Sequence, residues 1–244
     1  MTSSRVEFPG RPGRILVGTC HRPPDGRSQG SVVVAHGMLS SRQSPKHRAL
    51  CEGAAAAGLT ALRFDFAGRG DSPGVATDLT VSGEIRDLEA AVRWCRHAAP
   101  GPVAVVGSSL GGAVAVLAAP RLRLSALVTI AAPSRLPDVT RAAWHDSTMD
   151  TEQVPTSFFE DARSHDPARA ACDIACPWRI LHGAADDVVP AEHAGTFAAA
   201  APRAELLIHP RAGHRFWSTE HRRWIVDRVV EFLVDACNGA GADV

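Results

Sequence analysis

Short β-branched runs alternate along the chain with longer stretches in which apolar residues recur every three or four positions. The first two runs, 15–20 and 31–35, flank the turn-rich segment HRPPDGRSQG, which predicts a hairpin at the start of the fold. From there the order becomes strand, helix, strand, helix, with strands expected at 60–64, 103–106, 127–130, 179–181 and 205–208. Helices are expected at 45–57, behind the cap candidate Ser44, and at 83–97, where Ile85, Leu88, Val92 and Cys95 form one stripe. A third, at 220–236, aligns Ile225, Val226, Val229, Val230 and Leu233. Strands that read as buried on both faces and alternate with helices imply a mostly parallel central sheet flanked by helices, an α/β fold.

Residues 98–120 carry no charge and are long enough on paper to cross a bilayer. Pro100, Gly101 and Pro102, and then GSSLGG, divide them into a Val-rich run and an Ala/Val/Leu run, so a buried strand followed by a buried helix is the better reading. Residues 134–176 differ in character. They are polar and interrupted by proline, with short helices expected near 138–145 and 156–164 and no strand. An insertion of that length between two strands reads as a lid or binding element. Its aromatics, Trp144, Phe158 and Phe159, are expected either to anchor it on the core or to line a pocket. At 244 residues the whole chain, 1–244, reads as one domain with this lid-like insertion at 134–176.

Composition narrows the chemistry. Twenty-six basic and twenty-six acidic residues balance, so no global field attracts nucleic acid or anionic lipid, and no nucleic-acid partner is expected. The absence of Tyr excludes a short-chain dehydrogenase, and the only Lys, Lys46, lies in the polar stretch SRQSPKHR, where its pKa is expected to stay undepressed. A Schiff-base enzyme is therefore not expected. Six scattered cysteines read as reduced thiols, and Cys172 and Cys176 lack the further ligands that zinc requires. The amino-terminal MTSSRVEFPGRPGR has no apolar signal core, so a cytoplasmic location is expected.

The central chemical signal is VAVVGSSLGG, an apolar strand entering G-x-S-x-G and then a helix. Such a nucleophile elbow needs small flanking residues because the chain reverses sharply and leaves its serine, here Ser109, strained and exposed. The same residues spell G-x-x-x-x-G, but Ala113 and Val114 follow where a phosphate loop needs Lys and Ser/Thr. The segment GRGDSPG is likewise not a dinucleotide fingerprint, and Asp65, Asp71 and Ser72 are expected to fix that loop rather than to react. A serine needs a base and the base an orienting acid. Asp186 and Asp187 follow the strand at 179–181, and His214 follows the strand at 205–208, in the chain order Ser, Asp, His. His182, His193, His209 and His221 compete for the role of base. His36-Gly37-Met38 closes the strand at 31–35, where the amide of Met38 can join that of Leu110 in an oxyanion hole.

The stretches VVVAHGM, ALRFDFAGRGDSPG, VVGSSLGG, ILHGAADDVVP and GAGHRFW together resemble the α/β-hydrolase superfamily from about Val6 to Leu233. HGMLSS, GSSLGG, the short insertion and ACPWRILHGAADDVVP are similar to the group that comprises acyl-protein thioesterases and acyl-glucuronide esterases. The resemblance implies a serine hydrolase with Ser109 as nucleophile, His214 as base and Asp186, four residues after the His of HGxxD, as acid. Residue reading and resemblance together predict hydrolysis of a small-molecule acyl ester or thioester through an acyl-enzyme, with no metal or organic cofactor. Amidase, lactonase or carbon–carbon hydrolase chemistry on the same residues, or a non-catalytic binding protein that has kept the fold, stand as alternatives.

Overall fold

In the strand Ser31–Ala35 (β3), Val32 and Val34 join one apolar cluster while Val33 and Ala35 join another, so a single five-residue run feeds a core on each face of the sheet. The computed structural model describes residues 2–136 and 154–240. Its strands are β1 (Thr2–Pro9), β2 (Ile15–Arg22), β3, β4 (Thr60–Asp65), β5 (Val103–Ser108), β6 (Ala126–Ile130), β7 (Trp178–Gly183) and β8 (Ala204–His209). They form one eight-stranded sheet in the order β1-β2-β4-β3-β5-β6-β7-β8. All pairs from β4 to β8 are parallel, and only β1–β2 and β2–β4 are antiparallel.

The amino-terminal hairpin differs from the one the sequence predicts. Both edges of β3 are occupied by parallel neighbours, β4 and β5, so β2 cannot pair with it and pairs with β4 instead. The hairpin is formed by β1 and β2 through the turn at 10–14, closed by the Gly10 amide on the Arg14 carbonyl at 3.0 Å. Strand β1 is mostly exposed and buries only Phe8 well, and its alternating Arg5 and Glu7 mark a charged sheet edge that carries little apolar signal.

Seven α-helices occur among the described residues: α1 (Pro45–Ala56), α2 (Val81–Ala98), α3 (Leu110–Leu122), α4 (Thr156–Ala162), α5 (Pro167–Ala171), α6 (Glu192–Ala200) and α7 (Thr219–Ala240). Helices α1 and α7 cover one face, through Leu50, Cys51 and Ala54 against Ile225, Val229 and Leu233. Helices α2 and α3 cover the other, where Ile85, Leu88, Val92 and Cys95 are all buried. Helix α2 starts at Thr80, whose side chain accepts from the Gly83 amide at 3.0 Å. No helix among the described residues is long and apolar enough to cross a membrane, and 103–122 forms β5 and α3.

Of the insertion, α4 matches the expected helix at 156–164, and α5 is an additional turn capped by Asp166 on the Arg169 amide. The helix expected near 138–145, with Trp144, lies outside the described residues. Phe158 is buried in the larger apolar cluster beside the half-buried Phe159, with ring centroids 5.5 Å apart. Asp161 accepts from the Ser82 hydroxyl at 2.6 Å and the Ser82 amide at 2.8 Å, so α4 is tied to the start of α2.

Candidate active site

Four parallel strands, β3, β5, β7 and β8, deliver their following loops to one place beyond their carboxyl ends. Ser109 links β5 to α3 with φ 54° and ψ −124°, a conformation that a non-glycine residue adopts only where its surroundings impose it. The Ser109 amide donates to the Ile130 carbonyl at 2.8 Å, and its own carbonyl accepts from the Gly112 amide at 2.8 Å. The flanking glycines are required by contact: a Cβ on Gly107 would lie 2.3 Å from the Gly111 carbonyl oxygen, and one on Gly111 would lie 2.3 Å from that of His36.

His214 Nε2 lies 3.0 Å from Ser109 Oγ, and His214 Nδ1 lies 2.9 Å from Asp186 Oδ2. The other oxygen of Asp186 accepts from the amides of Val188 at 3.0 Å and Val189 at 2.8 Å. Burial alone would raise the Asp186 carboxyl, but hydrogen bonds from His182 and His214, the electrostatic attraction of His214 and the Val189 amide outweigh it and hold the group below the usual carboxylate range. An ionised Asp186 only accepts, so Nδ1 of His214 donates to it and the lone pair on Nε2 faces the serine hydroxyl.

The loop after β3 approaches the same serine. A Cβ on Gly37 would stand 3.0 Å from Ser109 Cβ, so this loop runs against the elbow. Its anchor is His36, whose Nδ1 donates to the Gly37 carbonyl at 2.8 Å while Nε2 accepts from the Phe66 amide at 3.3 Å. Burial lowers His36 to about 4, which keeps the ring neutral in this role. Further along, Asp65 accepts from the Arg42 amide at 2.6 Å and the Asp71 amide at 3.0 Å, and its carboxylate pairs with the Arg42 guanidinium. Ser72 bridges the Asp65 carbonyl and the Val17 amide, so Asp65, Asp71 and Ser72 fix the loop as expected.

The structure thus brings Ser109, Asp186 and His214 together, with Met38 and Leu110 on the two segments beside them. Asp187 is exposed. The competing histidines are engaged elsewhere: His193 bonds Ser134, and His209 meets the rings of His221 and Trp224 edge to face. His182 lies behind Asp186, with its Nε2 2.7 Å from the Val189 carbonyl and 3.2 Å from Asp186 Oδ2. It supports the acid rather than replacing His214.

The expectation for Lys46 is overturned. SRQSPKHR is not a solvated stretch: its PKHR forms the first turn of α1, which carries Lys46 under the loop after β3, where it is 9% exposed and donates to Ser108 Oγ at 2.8 Å. Burial lowers its pKa from 10.5 to about 8, opposed by the charge of Asp186. Chain neighbours alone do not reveal this, because its partner, Ser108 at the end of β5, lies 62 residues away in the sequence. The available signal was that every other basic residue in the Lys/Arg count is Arg.

A cavity of about 510 Å³ opens over Ser109, with Gly37, Met38, Lys46 and Ser108 on one side and His214 and Phe216 on the other. Trp217, 67% exposed, stands at its rim.

The model of the alpha/beta hydrolase family matches residues 32–228. The chain is similar to the mitochondrial palmitoyl-protein thioesterase ABHD10 of mouse, at 26% identity over 216 residues, covering 78% of this chain and 70% of that protein. The human counterpart is 28% identical over 206 residues, covering 76% of this chain and 65% of its own length. The chain thus spans about two thirds of these relatives. Among solved structures, Est1E from Butyrivibrio proteoclasticus in complex with ferulic acid superposes with a TM-score of 0.83 at 20% identity, covering 95% of this chain and 98% of that one. Mouse alpha/beta hydrolase domain-containing protein 10 gives 0.77 at 21% identity, covering 94% and 98%.

Proposed function

This chain is a hydrolase belonging to the alpha/beta hydrolase family, and we propose that it cleaves small-molecule carboxylic esters or thioesters through an acyl-enzyme on Ser109. The observation that carries this reading is the continuous hydrogen-bonded line from Ser109 Oγ through both nitrogens of His214 to Asp186. The hydroxyl oxygen attacks the acyl carbon while its proton passes to Nε2 of His214, and Asp186 stabilises the imidazolium that results. Negative charge that forms on the carbonyl oxygen is received by the amides of Met38 and Leu110. The Leu110 amide belongs to the first turn of α3, where backbone donors have no intrahelical acceptor. The bond from carbon to the leaving oxygen or sulfur then breaks, and the leaving group takes the proton from His214. Water repeats the sequence in reverse roles, releasing the carboxylic acid and restoring Ser109.

The strained φ of Ser109 and the ionised Asp186 both favour an enzyme over a binding protein that merely keeps the fold, since neither is needed to hold a ligand. Thioester cleavage rests on the similarity to the palmitoyl-protein thioesterases. The test is hydrolysis of a graded set of acyl esters and acyl thioesters by the wild type and by Ser109→Ala. Turnover by the wild type with a loss of at least about a hundredfold in the variant is expected. A variant that keeps more than about a hundredth of the activity overturns the assignment.

A further inference from the structure

The cavity over Ser109 is lined by three cationic side chains, Lys46, Arg215 and Arg222, and by no Asp or Glu among the described residues. Arg222 is engaged by the Trp217 carbonyl and Thr219, and Arg215 lies over the Trp217 ring at 5.5 Å, so these two frame the rim. Lys46 is different. It is buried, it faces the cavity, and its one hydrogen bond among the described residues goes to a neutral hydroxyl, Ser108 Oγ, next in sequence to the nucleophile. An ammonium has three donors, and no carboxylate of the described residues stands within ion-pair distance of it. A desolvated cation held without a countercharge destabilises the free protein, and an anion delivered by a ligand removes that penalty.

Resting on the reading of Ser109 as nucleophile, we infer that Lys46 is a specificity-determining residue whose Nζ pairs with a carboxylate on the substrate, so that the enzyme selects carboxylate-bearing acyl substrates over neutral ones of the same size. The carboxylate can sit on the acyl chain or on the leaving group, and both positions lie within one cavity with Ser109. Other groups act on Lys46 from the surrounding elements: Asp186 from the loop after β7, His214 from the loop after β8 across the shared cavity, and His47 on α1 itself, which is in turn influenced by His36. Burial keeps His36 and His47 neutral, and Asp186 is committed to His214.

The test compares matched substrate pairs, each rate divided by the uncatalysed rate. One pair is 4-nitrophenyl hemiglutarate against 4-nitrophenyl valerate, which places the charge on the acyl side. The other is the acetate ester of 4-hydroxybenzoate against that of its methyl ester, which places it on the leaving group. In the wild type the charged member of at least one pair is favoured in kcat/KM by about tenfold or more, the size expected for a charge-assisted hydrogen bond. Lys46→Met brings that ratio close to one, and Lys46→Arg retains part of it. The wild-type preference, read as the ratio within each pair, fades as pH rises through about 8, where the buried amine loses its proton. Equal rates for both pairs in the wild type, or a full preference kept by Lys46→Met, overturn the inference. Should Lys46→Met not fold, glutarate as a competitive inhibitor of the wild type gives the same answer: Ki weakens above about pH 8, and a pH-independent Ki overturns it. A fluorophosphonate adduct on Ser109 separates the two failures, since charge-blind kinetics in a protein labelled there leave the nucleophile standing and remove only the role of Lys46.

Discussion

Asp186 Oδ2 lies 2.9 Å from His214 Nδ1, while its neighbour Asp187 is turned out to solvent. The pair of amides from Val188 and Val189 on Oδ1 fixes which edge of the carboxylate meets the imidazole. Asn at 186 keeps the shape but presents either a neutral acceptor or a donor, and the imidazole loses the tautomer that leaves Nε2 free. Asp186→Asn is expected to lower kcat by roughly 10³ to 10⁴, and Asp187→Asn to stay within about tenfold of wild type. Steady-state kinetics on both variants, with folding verified by circular dichroism, check this; exchanged outcomes would assign the acid to Asp187.

A second prediction concerns stability and pH. Glu84 is 2% exposed at the start of α2, and its Oε2 has no hydrogen-bond partner. Burial, reinforced by the charge of Asp87, raises its carboxyl from 4.5 to about 8. Between those values the folded chain retains a proton that the unfolded chain has released, so the stability of the fold falls as pH rises from about 4.5 to about 8 and levels off above. Glu84→Gln keeps the neutral shape and removes the titration. Between pH 5 and pH 8 the wild-type Tm is expected to drop by on the order of 5 °C more than that of the variant. Parallel melting curves across that range would contradict the account.

Phe158 gives a third. The sequence left it between anchor and pocket lining, and its burial in the apolar cluster shared with α2 and α3 makes it an anchor. Phe158→Ala is expected to cost roughly 3–5 kcal/mol in denaturant unfolding while leaving the ranking of acyl substrates unchanged. A changed ranking with an unchanged midpoint would return this residue to the pocket.

The residues that chemistry constrains most tightly were the most legible in the sequence. Ser109, Asp186 and His214 each follow a strand marked by a short apolar run, Val-rich before Ser109, and the chain beside the elbow carries glycines that contact geometry demands, as Gly107 and Gly111 show. What escaped has a common cause: it depends on which elements become neighbours. Strand β1 is an exposed edge with only Phe8 well buried, so its pattern is weak, and the pairing of β2 with β4 follows from β3 having no free edge. Lys46 looked solvated in its own segment because the surfaces that bury it come from elsewhere in the chain. His182 competes for the role of base in the sequence and serves the acid in the fold, a distinction made by the 3.2 Å contact and not by spacing.

The most direct measurement is the site of covalent capture. Ser109 and Ser108 are adjacent, both line the cavity, and they differ in their partners, His214 for Ser109 and Lys46 for Ser108. Treatment with a fluorophosphonate followed by peptide mass mapping is predicted to give a single adduct, on Ser109, abolished in Ser109→Ala and strongly slowed in His214→Ala. An adduct on Ser108 or on any other residue, or labelling of Ser109 that is indifferent to the loss of His214, would contradict the account.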